Sequence, residues 1–245
     1  MPGSKNDQSH PNQAWICHLG VMDYMQALHL QQRLAQLRSE GRIDDIVLTL
    51  QHTPTVTLGR FGKKENLLVP ENKLKSQGIS FCRTDRGGDI TFHCPGQLVM
   101  YPIMDLRAWK GRLRDFLGRI EEAAILTLRS YAIKAERWHE HPGIWVEGKQ
   151  IGAVGLRISR GISMHGLSLN VRPDLSRFKV INLCGLAGVE ATSIAALRGG
   201  QVNLAEVRRR LEKDFAAISN LKLMEISAQQ VKEDSLATTA TTTVV

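Results

Sequence analysis

The sequence predicts one α+β domain, because segments with strand patterns and segments with helix patterns follow one another along the chain. Apolar residues recur at helical spacing from about Asp23, over residues 113–128 and from Asn203. Short apolar runs lie between these helices, and Ile46–Leu50, which is apolar on both faces, is typical of a central strand. No internal repeat and no linker interrupts residues 14–225, so we predict a single domain over that range.

The two ends of the chain are predicted to be disordered tails. Residues 1–13 are rich in Ser, Asn, Gln and Pro and lack the apolar core of a secretory signal. Residues 226–245 finish in a Thr- and Ala-rich stretch with neither a helical nor a strand period. No apolar run reaches the length of about 18 residues that a transmembrane helix needs, so no membrane span is predicted.

The first half of the domain is predicted to alternate strands with a helix. Trp15–Leu19 has a strand-like pattern, and Asp23 is a suitable N-cap for the helix that follows it. Gly41 is placed to end that helix. Val56–Gly59 and Ile79–Arg83 then resume extended patterns, so we predict two further strands there.

A hairpin is the clearest local structure in the second half. Ile144–Val146 and Ile151–Ile158 are strand-like, and the Glu147-Gly148 pair between them suits a two-residue loop. Another extended segment is predicted at Ser163–Val171, before the helix that begins at Asn203.

The composition indicates an acidic partner and a reducing environment. The chain carries a net charge of +8 with a pI of about 9.5, which suits nucleic acid, an anionic membrane surface or an acidic protein. Aromatic residues make up only 5% of the chain and are not interleaved with basic runs, which argues against single-stranded nucleic acid. The four cysteines form neither a C-x-x-C pair nor a zinc spacing, so we predict free thiols, a cytoplasmic location and no metal site.

The most unusual stretch is RGGDITFHCPGQLVMYP, which runs from Arg86 to Pro102. Its two adjacent glycines permit positive φ angles and let a ligand approach the main chain closely. Residues 90–93 alternate between apolar and polar, as in a short strand with one polar face. We infer a glycine-lined slot, and the alternative is a purely structural loop between two strands. The polar side chains around the slot would be Arg86, Thr91, His93 and Gln97.

Cys184 is the best candidate nucleophile, since it stands where an apolar run stops and a glycine follows. A cation or a helix N-terminus beside such a thiol would lower its pKa and make it reactive. The alternative is a buried structural cysteine. Cys94 is a rival, but neighbours on a strand point to opposite faces, so His93 is badly placed to activate it. Cys17 and Cys82 lie in strand-like runs and are predicted to be core residues.

Two further segments have small residues beside polar ones. Gly148–Gly155 supplies a cation, Lys149, and a flat wall with room for an apolar ligand such as an acyl chain. The alternative is a tight hairpin with a solvated Lys149. His165-Gly166-Leu167-Ser168 also combines a glycine with polar residues, and its alternative is an ordinary strand that contains a histidine.

Four blocks of the sequence, taken in order, resemble one family, the octanoyl-[acyl-carrier-protein]–protein N-octanoyltransferases, or lipoyl(octanoyl) transferases, of lipoate biosynthesis. The blocks are Arg86–Tyr101, Ala153–Arg157, His165–Val171 and Asn182–Gly185. The first block is long and specific, and the resemblance extends over about residues 15–220.

The resemblance implies a fold and a site. The fold would be that of the biotin/lipoate protein ligases, an α+β fold with a mixed central β-sheet flanked by helices. Cys184 would carry the octanoyl group as a thioester. The residues implied to line the acyl site are Arg86, Gly87, Gly88, Asp89, Ile90, Thr91, Phe92, His93, Ala153, Val154, Gly155, Gly166, Leu167 and Ser168.

The resemblance also implies a reaction and its partners. An octanoyl or lipoyl group would pass from acyl carrier protein to Cys184 and then to a lysine of a lipoyl domain, in a ping-pong acyl transfer. The acceptors would be the lipoyl domains of 2-oxoacid dehydrogenases and the glycine cleavage H protein. Because the transfer from thioester to amide is downhill, no ATP, cofactor or metal is expected. Carriers of this kind are typically acidic, which would account for the basic charge, and neither nucleic acid nor membrane is an expected partner.

Three positions depart from the family pattern. Cys94 stands where glycine is usual, and Leu183 stands where proline is common. Gln150 occupies the place of the family's lysine that tunes the nucleophile, and Lys149 lies one residue early. A shift of one residue turns a side chain to the other face of a strand unless a bulge absorbs it. We predict that such a bulge lets Lys149 lower the pKa of Cys184. The alternative is that Lys149 is solvated and that His93 or His165 activates the thiol.

Two other functions are compatible with parts of the sequence. An ATP-dependent lipoate or biotin protein ligase would share the fold but would need no cysteine nucleophile. A non-catalytic module that binds nucleic acid would explain the charge but would leave the glycine-lined slot and Cys184 without a role.

Overall fold

A computed structural model describes residues 12–107, 113–138 and 141–236 of the chain. Strands and helices account for most of these residues. The strands are β1 (Asn12–Met22), β2 (Ile46–His52), β3 (Thr55–Leu58), β4 (Ser80–Arg83), β5 (Ile90–His93), β6 (Gln97–Ile103), β7 (Glu136–Arg137), β8 (Ile144–Val146), β9 (Lys149–Ser159), β10 (Ile162–Asn170) and β11 (Leu221–Ile226). The helices are α1 (Tyr24–Ser39), α2 (Glu71–Ser76), α3 (Leu113–Ser130), α4 (Ile194–Arg198), α5 (Leu204–Ser219) and α6 (Ala228–Leu236). Short 3-10 turns occupy Lys64–Asn66, Leu175–Val180 and Leu183–Gly185.

The strands form two sheets. The larger has eight strands in the order β11-β1-β2-β6-β10-β9-β8-β7, and the smaller has three in the order β4-β3-β5. Strand β1 runs parallel to both of its neighbours, and the other pairs of the large sheet are antiparallel. The prediction of an α+β fold with a mixed central sheet is therefore confirmed.

The central strands are buried on both faces, which produces three layers. In β2, Val47 packs into a core with α3 and α5, whereas Ile46 and Leu48 pack into a core with α1. In β6 the same alternation places Met100 towards α3 and Tyr101 towards α1. This two-sided burial confirms the prediction made from the apolar character of Ile46–Leu50.

The first helix begins and ends as its sequence predicts. The Asp23 carboxylate accepts hydrogen bonds from the backbone N–H groups of Met25 and Gln26 at 2.9 and 3.1 Å, so it caps the helix. The helix ends just before Gly41, which has a φ of +70°. None of the helices in the described ranges combines the length and the apolar character that crossing a membrane requires.

The predicted hairpin is confirmed as β8 and β9. Both residues of its two-residue turn have positive φ angles, of 50° and 79°. Trp145 pairs with Gln150, but Ile144 pairs with Gly152, so Ile151 is an extra residue in β9. A bulge is thus present, but it follows Gln150 and leaves the orientation of Lys149 unchanged.

The prediction of disordered tails is wrong for the residues next to the domain. Residues 12 and 13 belong to β1 and pair with β11. Residues 228–236 form α6, and Val231 is buried to 1% exposure in the core with α1. The helix is short and mostly polar, so one buried valine produces no visible helical period. Ser227, whose hydroxyl accepts from the N–H of Gln230, caps the start of α6 and is the local signal for this helix in the sequence. The remaining tail residues, 1–11 and 237–245, lie outside the described ranges.

A cluster of buried histidine and tyrosine side chains lies between α1 and the sheets. The ring of Tyr24 stacks on that of His93 at 5.5 Å, and the ring of His52 meets His93 edge-on at 5.3 Å. His52 donates from Nδ1 to a backbone carbonyl, so its Nε2 accepts from the Tyr101 hydroxyl at 2.7 Å. Burial lowers the pKa of His52 to about 4 and holds the pKa of His93 well below its ordinary value. Both imidazoles are therefore neutral near pH 7.

This burial predicts that acid destabilises the protein. Because the unfolded chain binds protons at these histidines from pH 6.5 downward and the folded chain does not, the free energy of unfolding should fall between pH 6.5 and about 4. Each buried histidine can contribute up to about 1.4 kcal/mol per pH unit. Urea unfolding of the wild type and of His52→Gln between pH 4.5 and 7.5 tests this expectation. The change in the free energy of unfolding per pH unit should be smaller in the variant. His29→Gln, on the exposed side of α1, is the control. Equal slopes in all three proteins would contradict the expectation.

Close contact between β10 and β6 requires glycine at position 166. A Cβ atom at Gly166 would lie 2.2 Å from the carbonyl oxygen of Met100, in the backbone of the paired strand. We expect Gly166→Ala to reduce the free energy of unfolding by about 2–3 kcal/mol, because the backbone must move to admit the methyl group. Gly118→Ala is the matched control, since a Cβ there meets nothing within 4 Å and helix α3 should gain up to about 1 kcal/mol. Urea midpoints measure both, and an equal effect of the two substitutions would refute the packing argument.

Candidate active site

A cavity of about 330 Å³ opens where the glycine-rich loop, β9, β10 and the Cys184 turn meet. The sequence-predicted residues that line it are Arg86, Gly87, Gly88, Asp89, Ile90, Thr91, His93, Ala153, Val154, Gly155, Gly166, Leu167, Ser168 and Cys184. The structure therefore brings residues from four separate sequence blocks to one cavity. Among the described residues, no group of three or more His, Cys, Asp or Glu side chains is arranged to hold a metal ion.

Three residues that were predicted at the slot or the site do not line the cavity. Gln97, predicted at the slot, is buried behind His93, and its amide bonds to His93 Nδ1 at 2.7 Å and to Asn170 at 2.9 Å. The other two are Phe92 and Lys149. Phe92 is fully buried in the core of the small sheet, where its ring meets Phe178 edge-on at 5.2 Å. Side chains alternate along β5, so Thr91 and His93 face the cavity while Phe92 faces away from it. Lys149 likewise does not line the cavity.

Several lining residues were not predicted as site residues. Tyr24 of α1 and Leu113 and Leu117 of α3 come from amphipathic helices, and their spacing indicated only core positions. The other additions are Tyr101, His141, Pro142, Leu156 and His165. The small-residue segments gave a local signal for the slot, but only the packing of distant helices shows which apolar side chains close it.

His165 is held by a carboxylate at the edge of the cavity. Its Nε2 lies 2.8 Å from Asp85 Oδ1, and Asp85 also pairs with Arg157. Burial, assisted by the positive charges of Arg86 and Arg157, lowers the pKa of His165 to about 3. His165 is thus a neutral wall residue, and the carboxylate fixes its ring.

Arg86 ties the glycine-rich loop to the small sheet. Its Nε and Nη2 donate to the hydroxyl of Thr57, and Nη2 also donates to the Thr57 carbonyl at 2.8 Å. Further bonds go from Nη1 to the carbonyl of Gly87 at 3.0 Å and from Nη2 to that of Asp89 at 2.8 Å. The side chain is buried, so these bonds hold the loop in its bent path around the guanidinium.

Cys184 occupies a strained turn beside the cavity. Its φ is +52°, in the left-handed region that non-glycine residues rarely adopt. The N–H of Gly185 donates to Asn182 and the N–H of Leu186 donates to Leu183, so the turn uses these donors itself. The donor that faces Cys184 Sγ is the side-chain amide of Gln150, with Nε2 at 3.0 Å.

The prediction that Lys149 reaches Cys184 is wrong. Lys149 Nζ pairs with Glu190 Oε2 at 2.7 Å, and its side chain is half exposed. Gln150 points inward instead because its backbone is fixed on the neighbouring segment. Its N–H donates to the carbonyl of Glu190 at 2.9 Å, and its own carbonyl accepts from Thr192 at 2.8 Å.

The four thiols differ in access to the cavity. Burial raises the pKa of Cys94 to about 12 and the pKa values of Cys17 and Cys82 to about 11, and none of these three residues lines the cavity. Burial also raises the pKa of Cys184, whereas the Gln150 hydrogen bond and the charge of Arg86 act to lower it and the Asp89 carboxylate acts to raise it. Cys184 is therefore the thiol that a ligand in the cavity can meet.

Comparison of the sequence with known proteins identifies its relatives. The family model of the lipoyl protein ligase A/B catalytic domain matches residues 23–216. An octanoyltransferase of Solibacter usitatus is 44% identical over 206 residues, which cover 84% of this chain and 93% of the relative. A mitochondrial octanoyltransferase of Arabidopsis thaliana is 41% identical over 185 residues, which cover 75% of this chain and 79% of the relative.

Solved structures agree with the fold. Lipoate-protein ligase A bound with ATP superposes with a TM-score of 0.73 at 17% identity, over 91% of this chain and 92% of that chain. A bipartite lipoate protein ligase of Thermoplasma acidophilum gives a TM-score of 0.72 at 16% identity, over 91% of both chains. These likenesses show a shared fold, while the much higher identity to octanoyltransferases does not favour an ATP-dependent ligase. The chain belongs to the lipoyl protein ligase A/B catalytic domain family, and within it to the octanoyltransferases, which are acyltransferases of protein lipoylation.

Proposed function

We propose that this chain moves an octanoyl group from the thioester of an acyl carrier protein to a lysine of a lipoyl domain, through a thioester on Cys184. The observation that carries the proposal is the position of Cys184, the one thiol beside the cavity among the described residues. The acceptors would be lipoyl domains of 2-oxoacid dehydrogenases and the glycine cleavage H protein.

The cavity suits an acyl chain. Leu117, Val154 and Leu167 are among the apolar residues that line it, and its volume of about 330 Å³ is in the usual range for a small-ligand site. Gly155 brings β9 so close to the loop that a Cβ there would lie 2.8 Å from the carbonyl oxygen of Gly87. This close backbone contact fixes the loop against β9 at the wall of the cavity.

In the first half of the reaction, the Cys184 thiolate attacks the thioester carbonyl carbon. The new Sγ–C bond forms as the bond from that carbon to the sulfur of the carrier's arm breaks, and the released thiolate takes a proton from water. The transient oxyanion needs a hydrogen-bond donor. Because the N–H groups of Gly185 and Leu186 are bonded within the turn, the Gln150 amide is the donor best placed for this task.

In the second half, the neutral amine of a lipoyl-domain lysine attacks the acyl carbon. The amide C–N bond forms, the C–Sγ bond breaks, and the cysteine leaves as a thiolate while the extra proton on nitrogen passes to water. Gln150 cannot accept this proton, since a carboxamide has no titratable site near pH 7. The apolar walls limit the entry of water, which slows hydrolysis of the acyl-enzyme.

A basic rim lies beside the cavity. The N–H of Arg60 donates to the carbonyl of Arg86 at 2.9 Å, and the N–H of Lys63 donates to the Asp89 carboxylate at 3.3 Å. These bonds fix the start of the 60–64 loop, whose Arg60 and Lys63 side chains are exposed. Phe61 between them is 72% exposed. Two cations around one exposed aromatic ring suit the docking of an acidic carrier protein.

The first test of the proposed function concerns the nucleophile. After incubation with octanoyl-acyl carrier protein, the wild type and Cys94→Ser should gain the mass of one octanoyl group, and Cys184→Ser should gain none. A hydroxyl is a far weaker nucleophile than a thiolate, so transfer to a lipoyl domain should fall at least about a thousandfold in Cys184→Ser. Intact-mass spectrometry and a transfer assay measure these outcomes.

Two results would contradict the proposal. An octanoyl adduct on Cys184→Ser that peptide mass spectrometry maps to a residue other than 184 would place the acyl group elsewhere. Transfer from free octanoate that requires ATP, without an adduct on Cys184, would assign the chain to the ATP-dependent ligases.

The second test of the proposed function concerns the basic rim. We expect kcat/KM for octanoyl-acyl carrier protein to fall as salt rises, because charges farther apart than about 8 Å are screened at physiological ionic strength. Arg60→Ala/Lys63→Ala should reduce kcat/KM about tenfold at low salt and flatten its salt dependence. The control is Arg209→Ala/Lys222→Ala, which removes two exposed cations near the β11 edge. Equal losses in the two double variants would remove the specific role of the rim.

A further inference from the structure

The donor that meets the nucleophile, within the part of the chain that the structure describes, is the neutral amide of Gln150. Gln150 Nε2 is 3.0 Å from Cys184 Sγ, and the nearby Lys149 is paired with Glu190 away from the cavity. The Gln150 hydrogen bond acts to lower the pKa of Cys184, but a neutral amide supplies no net positive charge and cannot take the thiol proton. A buried thiolate needs a positive charge to offset the loss of water.

Arg86 carries such a charge at the same cavity. Its guanidinium is buried, and all of its hydrogen bonds go to uncharged oxygens, namely the hydroxyl and carbonyl of Thr57 and the carbonyls of Gly87 and Asp89. No carboxylate forms an ion pair with it among the described residues. A buried cation without a counter-ion is costly to fold, so its presence calls for a negative charge that forms during function.

Asp89 connects the Arg86 guanidinium to the turn that contains Cys184. The carbonyl of Asp89 accepts from Arg86 Nη2 at 2.8 Å, and its carboxylate Oδ2 lies 2.7 Å from where a Cβ of Gly185 would be. Arg86 is therefore bonded to the main chain of Asp89, and the side chain of Asp89 lies against the turn that contains Cys184. Both Arg86 and Cys184 line the cavity.

We propose that Arg86 supplies the positive charge that stabilises the Cys184 thiolate, while the neutral Gln150 amide donates first to Sγ and then to the oxyanion. This inference rests on the proposed role of Cys184 as the nucleophile. When the thiolate forms, the S–H bond breaks, the electron pair stays on sulfur and the proton leaves to water. On acylation, the negative charge passes to the departing thiolate of the carrier's arm.

The other charged and titratable groups around the site are consistent with this assignment. The groups that interact with the charge of Arg86 are Tyr24, Tyr101, Cys82 and Cys184, all of which are neutral acids near pH 7. Its positive charge also helps to lower the pKa values of His93 and His165, for which burial is the largest cause. Asp89 is the opposing group, since its carboxylate raises the pKa of Cys184. Asn66, which donates to that carboxylate at 3.0 Å, weakens this opposition.

The test is the pH dependence of iodoacetamide labelling at Cys184, followed on its own peptide by mass spectrometry. Arg86→Gln should slow labelling about tenfold or more at pH 7.5, because one unit in the thiol pKa changes the thiolate fraction tenfold. Gln150→Lys should speed labelling by a similar factor, because it adds a cation at the sulfur. Lys149→Gln is the matched control next in the chain and should follow the wild-type profile. A wild-type profile in folded Arg86→Gln would overturn the proposal.

A second measurement needs only the wild type, which matters if Arg86→Gln does not fold. The ratio of the labelling rate with anionic iodoacetate to that with neutral iodoacetamide reports the local charge. At Cys184 this ratio should be several-fold higher in the folded protein than in the urea-unfolded chain. A folded ratio equal to or below the unfolded one would also overturn the proposal. Labelling does not involve octanoyl transfer, so failure of the proposed function would show in the mass-adduct assay and would leave these results unchanged.

Discussion

The hydrogen bonds of the buried Arg86 guanidinium are the constraint on which the site depends. They join Thr57 in β3, the central strand of the small sheet, to the carbonyls of Gly87 and Asp89 in the glycine-rich loop. A loop with two adjacent glycines has many accessible conformations, and ordering it costs conformational entropy. A planar group with several donors can offset this cost, because each N–H fixes the direction of one carbonyl. The loop carbonyls accept hydrogen bonds from the buried guanidinium, and these bonds hold the loop in one conformation.

The glycines around Arg86 allow main chains to approach where side chains would not fit. A Cβ at Gly59 would lie 2.4 Å from the carbonyl oxygen of Gly88, and one at Gly155 would lie 2.8 Å from that of Gly87. The loop therefore lies between β3 and β9 with no layer of side chains in between. This contact brings the small sheet against the large one at the cavity.

The fold could be predicted from the sequence where burial leaves a periodic pattern. The two-sided strand at Ile46–Leu50, the cap at Asp23 and the β8–β9 hairpin all follow from local patterns. Helix α6 could not be predicted in this way, because Val231 is its buried core residue and most of its other residues are polar. The walls contributed by α1 and α3 were also missed as site residues, since a residue at a cavity and a residue in a core obey the same period.

The error over Lys149 has a more specific physical cause. Charge alone favoured Lys149, and a bulge before Lys149 was needed to turn its side chain towards Cys184. The bulge exists, but it lies at Ile151, after Gln150, so the side chain that turns inward is the amide. The factor that decides the orientation is the pairing of Gln150 with Glu190 and Thr192, which are more than 35 residues away in the chain. A contact of that kind leaves no signal in the local sequence.

A neutral donor at the nucleophile has a consequence for the resting protein. Burial raises the pKa of Cys184, so the thiol is mostly protonated near neutral pH. A protonated thiol reacts slowly with oxidants as well as with thioesters. Entry of an acyl chain displaces water from the apolar slot, which lowers the local dielectric and strengthens the attraction between Arg86 and a developing negative charge. The arrangement therefore favours the charged form of the sulfur most strongly when substrate is bound, and keeps the free protein in its less reactive form.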